Sequence, residues 1–134
     1  MLKGTLITLV LATLLVTACA GGQPDINLET THLDFGDVVN GEILSHDIVV
    51  SNEGNQPIVA KSVSTTCGCT TATLEPMTIP AGGSANLHIT FDSGAHGPEL
   101  TGQITRQIFI TSNDPDQPEA MVEFTANIVK KETP

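Results

Sequence analysis

Ala85-Asn86-Leu87-His88-Ile89-Thr90-Phe91-Asp92 is the stretch that decides the fold. Apolar Leu87, Ile89 and Phe91 alternate with polar Asn86, His88 and Thr90. That period of two marks a strand with one face on a core. Upstream, Leu44–Asn52 repeats it, with Leu44, His46, Ile48 and Val50 on one face and Ser45, Asp47 and Ser51 on the other. Around this pair the chain offers more short β-branched runs closed by turn residues. Ile26–Glu29 and His32–Phe35 predict a split first strand, and Asn40-Gly41 a turn. A third strand is expected near Pro57–Val63 and a short fourth at Thr70–Leu74. Gln103–Ser112 and Ala120–Val129 close the set across the turn Asn113–Pro118. Nothing after Cys19 keeps a helical period. The expectation is an all-β, Ig-like β-sandwich of about seven strands.

Ahead of this domain, Met1-Leu2-Lys3 supplies a positive start, and Thr5 to Ala18 runs without a charge. A bilayer span takes about 20 apolar residues, so the run is too short to cross and suits a secretory h-region. It ends in Val16-Thr17-Ala18-Cys19, which resembles the bacterial lipobox. The resemblance implies cleavage before Cys19 and a diacylglycerol on its sulfur. Residues 1–18 are then a cleaved lipoprotein signal peptide, and 19–25 the lipidated Cys and a tether. Residues 26–130 form the sandwich and 131–134 a tail. The expected location is extracytoplasmic, anchored by lipid to the cell membrane or outer membrane.

With Lys3 removed, four cations face 15 acidic residues, a net of −11. So few cations cannot neutralise a phosphate backbone, which excludes nucleic acid as a partner. Aromatic residues are 3% of the chain, without Trp or Tyr, which removes the stacking platforms that bases need.

Several pieces in fixed order carry a family resemblance: Phe35-Gly36, Gly41-Glu42, Ser51-Asn52-Glu53-Gly54, Thr66-Cys67-Gly68-Cys69-Thr70, Ile79-Pro80-Ala81-Gly82, Phe91-Asp92-Ser93 and Ser112-Asn113-Asp114-Pro115. Together they resemble an uncharacterised bacterial family of exported Ig-like domains, often lipoproteins, classed as a domain of unknown function. That family is similar to sandwich domains of the Hydin and major-sperm-protein group. The resemblance covers nearly all of Ile26 to Val129 and implies the fold; it brings no catalytic residue or cofactor.

Cys67-Gly68-Cys69 is the one chemical-looking pair in the mature domain. Outside the cytoplasm the two thiols are expected to bridge. Such a bridge needs Cα atoms within about 4.4–6.8 Å, and Gly68 is expected to supply the bend through φ values closed to other residues. Loop-closure entropy for three residues is only about 1.6 kcal/mol, and a strained bridge is easily reduced. The alternative is a copper-binding or thiol-redox lipoprotein, with Cu(I) between the thiolates and His88 or His96 as third ligand. His88 is otherwise expected to be solvated, His46 half-buried and hydrogen-bonded, and His32 near the domain entrance. No Ser, His and Asp fall at hydrolase spacing, and no nucleophile elbow is present. An enzyme is not expected, and neither is a cofactor other than that copper.

If Ile58, Ile108, Ile110 and Val122 point inward, then Val59, Phe109 and Met121 point outward on three neighbouring strands. That predicts an exposed apolar patch of the kind that marks partner surfaces. The functional expectation is a non-enzymatic binding or scaffolding domain, held to the membrane by Cys19 and docking another envelope protein.

Overall fold

The structure, a computed structural model, describes residues 21–132. The expected signal peptide, the lipobox-like Val16–Cys19 and the expected lipidation site Cys19 therefore lie outside the described residues. The alternating segments become nine strands: β1 (Ile26–Leu28), β2 (His32–Val39), β3 (Ile43–Asn52), β4 (Ile58–Thr65), β5 (Thr70–Glu75), β6 (Thr78–Ile79), β7 (Ser84–Asp92), β8 (Gly102–Ser112) and β9 (Glu119–Val129). They form two sheets, ordered β1-β3-β7-β5 and β2-β9-β8-β4-β6. The fold is the expected all-β Ig-like sandwich, with two more strands than the pattern predicted. One comes from counting the two halves of the first strand separately. The other is β6, whose two residues are too few to show a period. No helix among the described residues is long and apolar enough to cross a membrane.

Alternation translates directly into burial. Ala85, Leu87, Ile89 and Phe91 of β7 are all buried, as are Ile48 and Val50 of β3. From the other sheet Ile58, Ile108, Ile110, Val122, Phe124 and Ile128 point back at them. The sheets meet at aromatic rings: Phe91 and Phe124 lie 5.1 Å apart, and Phe35 of β2 packs edge-on to Phe124 at 5.1 Å. Such tilted arrangements suit the ring quadrupoles.

The split first strand changes sheets. β1 pairs antiparallel with β3, after which the chain crosses at Thr30-Thr31 and β2 pairs parallel with β9. β1 ends opposite Val50, so the first half of β3 has no neighbour on that side. This explains a departure from expectation at His46, which is exposed rather than half-buried. The ring of Phe35 lies edge-on to it with centroids 6.2 Å apart.

β3 runs the length of the sandwich, about 30 Å at the usual rise per residue. At one pole sit the chain's entry at Ile26 and the turns after β3, β6 and β8. Two buried polar residues organise this entry pole. Asn52 accepts from the N–H groups of Asp25 (3.2 Å) and Gly54 (3.0 Å) and donates to the carbonyls of Gln56 (2.8 Å) and Ile79 (3.0 Å). Asp114 accepts from the N–H groups of Ile26 (2.8 Å), Asp116 (2.8 Å) and Gln117 (3.1 Å). Asn113 clips the start of β4, accepting from Val59 N–H at 2.7 Å and donating to Pro57 O at 3.1 Å. Residues 23–25, ahead of β1, also dock here, since Gln23 O and Asp25 O accept from Asn55 and Glu53 N–H. Gly54 permits that approach, because a Cβ there would stand 2.2 Å from Gln23 O.

Burial raises the pKa of Asp114, but the backbone N–H groups of Ile26, Asp116 and Gln117 outweigh it and hold the carboxyl below the ordinary aspartate range. A depressed folded-state pKa stabilises the fold above the unfolded value, and that stabilisation is lost as pH falls through the folded one. Asp114→Ala, which leaves those N–H groups unpaired, is expected to cost about 2–3 kcal/mol in denaturant unfolding at pH 7. The gap to wild type should narrow on acidification below the carboxylate range.

Candidate functional site

At the opposite pole, Cys67-Gly68-Cys69 forms the corner where the chain leaves the five-stranded sheet at the end of β4 and enters the four-stranded sheet at β5. Thr70 N–H donates to Cys67 O at 3.1 Å and closes the turn. The Thr65 hydroxyl lies within reach of the carbonyls of Cys67 (3.1 Å) and Thr70 (3.0 Å). Asp92 N–H donates to Cys69 O at 2.8 Å, continuing the β5–β7 ladder into the corner. Cys67 and Cys69 are joined as a disulfide with Cα atoms 5.2 Å apart, inside the range a bridge needs. Gly68 does not have the role expected of it. Its φ is not among the chain's positive values, and a Cβ there would meet nothing within 4 Å. The corner is bent by hydrogen bonds and the bridge, without the conformational freedom of glycine.

The two sulfurs sit in different surroundings. Cys69 is buried, with 4% of its surface exposed, and packs on the core, whereas Cys67 is only partly covered. Arg106 of β8 directs its Nε–H at Cys69 Sγ from 3.2 Å. His96 Nε2 lies 3.0 Å from Cys67 Sγ, and the backbone N–H of Cys69 points at the same sulfur from 3.1 Å. His96 belongs to the loop between β7 and β8, which two buried polar residues fix. Asn40 Nδ2 donates to the carbonyls of Gly97 and Leu100, both at 2.9 Å. The Ser93 hydroxyl lies 3.0 Å from Val39 O and 2.9 Å from Glu42 O.

Of the two histidines weighed as third metal ligands, the structure gathers His96 with the cysteines and leaves His88 elsewhere. The ligand atoms of Cys67, Cys69 and His96 lie within 4.8 Å of one another. In the bridged state both sulfurs are bonded to each other, so a soft ion could be held only by the reduced pair. His88 stands on the outer face of β7, half exposed, with Nδ1 2.5 Å from Asp47 Oδ1. That hydrogen bond keeps the Asp47 carboxyl below its ordinary range. His32 Nδ1 lies 3.8 Å from Glu123. Sequence reasoning missed Arg106, although a signal existed: it is the chain's single arginine.

The three outward apolar residues are only partly brought together. β4, β8 and β9 are neighbours as expected, and Phe109 pairs directly with Met121 on the solvent face of the five-stranded sheet. Val59 is exposed too, but its cross-strand neighbour is Thr78. It bonds to Asn113, just past the end of β8 and four residues, about 13 Å, from Phe109. Ser64 and Ser62 stand opposite Phe109 and Thr111, so polar side chains separate Val59 from the Phe109–Met121 pair.

Two facing sheets with a first strand shared between them define an Ig-like β-sandwich. The chain belongs to the family described as "Protein of unknown function (DUF1573)", which matches residues 26–128. It is similar to a protein of unknown function from Porphyromonas gingivalis W83, with 29% identity and a TM-score of 0.67 over 78% of this chain. It spans 46% of that protein's length. At the level of fold alone it is similar to PapD-like domain 7 of human CEP192, at 12% identity and TM-score 0.59, covering 82% of this chain and 89% of that one. The YadV chaperone is similar at 15% identity and TM-score 0.54, over 81% of this chain and 53% of its own. No curated protein matches the sequence.

In the protein purified without reductant, the tryptic peptide carrying Cys67 and Cys69 is expected to be two hydrogens lighter than its dithiol form by mass spectrometry. Because the bridge closes only a three-residue loop, Cys67→Ser is expected to lower unfolding stability by less than about 3 kcal/mol.

Proposed function

We propose that this chain is a lipid-anchored envelope lipoprotein whose Ig-like domain is a non-enzymatic binding or scaffolding module for another envelope protein. The observation that carries the reading is the Phe109–Met121 pair, an aromatic and a thioether side chain held side by side on the outer face of the five-stranded sheet, Phe109 half-buried and Met121 exposed. Met121 keeps 38% of its surface exposed. Polar neighbours rim the pair: Gln107 and Thr111 on β8, Glu119 and Glu123 on β9, and Ser64 on β4. An apolar centre with a polar rim is the pattern of a contact surface, and aromatic and Met side chains are common at such centres. The two glutamates suit a partner that offers cations around its own apolar contact.

Anchoring through Cys19 fits the docked entry segment. With Gln23 and Asp25 hydrogen-bonded to the turn after β3, four residues, 19–22, lie between the lipidation site and the docked segment. Four residues reach at most about 14 Å. Such an anchor would hold the entry pole against the bilayer, with the five-stranded face standing beside the membrane and the Cys67–Cys69 corner facing away from it.

Two measurements test the reading. Phe109→Asp is expected to abolish co-purification of the partner from solubilised native membranes while the chain stays folded, its unfolding free energy lowered by no more than about 1 kcal/mol. Retention of every partner by a folded Phe109→Asp chain would refute it. Cys19→Ala is expected to move the protein from the membrane fraction to the soluble fraction and to remove incorporated palmitate label.

A further inference from the structure

We infer that Cys67–Cys69 is a thiol–disulfide exchange site with a built-in direction, in which Cys67 is attacked and Cys69 is the leaving and resolving sulfur. The inference is independent of the apolar sheet face. It rests on the unlike surroundings of two sulfurs only two residues apart.

An incoming thiolate must approach its target sulfur from outside. Cys67 is the partly exposed one, at the tip of the corner, whereas Cys69 keeps 4% of its surface and lies against the core. The chain's single arginine aims Nε–H at the buried sulfur from 3.2 Å. A bridged sulfur is a weak acceptor, but a thiolate in the same place would receive a charge-assisted hydrogen bond. Arg106 therefore favours the state formed when Cys69 leaves, and a cation beside a cysteine makes its thiolate a better leaving group. His96 Nε2 and the Cys69 N–H stand 3.0 and 3.1 Å from Cys67 Sγ. Buried Asn40 and Ser93 hold the loop that carries His96.

The co-reactant is a dithiol. Its first thiolate forms a bond to Cys67 Sγ as the Cys67–Cys69 bond breaks, and the electron pair goes to Cys69 Sγ beside Arg106. The second thiolate of the dithiol then attacks the first, forming the partner's disulfide and releasing Cys67 as a thiolate beside His96 Nε2. Two electrons pass from the dithiol to the pair, and its two protons end on Cys67 and Cys69. In the absence of a second thiol, Cys69 re-attacks Cys67 and expels the first thiol, which restores the bridge.

The test uses the full-length chain, with glutathione as the trapping probe and dithiothreitol as the dithiol. Acid quenching during reaction with glutathione is expected to catch the mixed disulfide on Cys67, located by peptide mass. An adduct on Cys69, or equal labelling of both, would overturn the proposal. Arg106→Gln is expected to slow reduction by dithiothreitol about tenfold or more, and Arg106→Lys to recover most of that rate, since the cation beside the leaving thiolate is restored. An unchanged rate in a folded Arg106→Gln chain would also overturn it. Should Arg106→Gln fail to fold, the adduct position in the unsubstituted chain decides alone.

Discussion

Phe91 of β7 and Phe124 of β9 meet at 5.1 Å between the two sheets, with Phe35 of β2 also 5.1 Å from Phe124. A chain with only four aromatic residues places three of them at this one contact. Fully burying side chains of this size contributes about 1.5–3 kcal/mol each, and removing one from a packed core costs more because a cavity remains. The constraint also sets position. Phe35 reaches Phe124 from β2, which lies beside β9 because the chain leaves β3 after three residues of β1 and crosses to the other sheet. The open half of β3 and the exposure of His46 both follow from that crossing.

The motif residues sort by pole. At the entry pole Asn52, Gly54, Asn113 and Asp114 serve the fold: they satisfy turn backbones, seat residues 23–25 and tie β1 to the β8–β9 turn. A buried polar group with all its partners is rigid, and one without them is costly, so these positions tolerate little. At the far pole Asn40 and Ser93 fix the loop that carries His96, while the cysteines bridge and Arg106 covers the inner sulfur. The bridge closes too short a loop to stabilise the fold greatly, so the investment of buried polar groups around it goes into placing side chains near sulfur.

Strand existence and inward faces were legible wherever alternation ran for several residues, as in Leu44–Asn52 and Ala85–Asp92, because burial on one face is a local demand on the sequence. It failed where that demand is weak. β6 is too short, and the later residues of β2 follow a bulge between Asp34 and Asp37, where Gly36 takes φ +64°. The apolar face was half legible. Side-chain direction predicted which residues face out, but the register that separates Val59 from Phe109 depends on an irregularity between Ala60 and Ser62 that leaves no compositional mark.

The sequence by itself determined the all-β class, the two-faced strands and the Cys-Gly-Cys pair, since each is written in neighbouring residues. Only the tertiary structure decided the parallel β2–β9 pairing and what surrounds the sulfurs. His96 is 29 positions from Cys67 and Arg106 is 37 from Cys69. Their approach depends on β7 ending and β8 beginning at the same pole as the β4–β5 corner, and strand order and register are set by packing of the whole core, which no local pattern encodes.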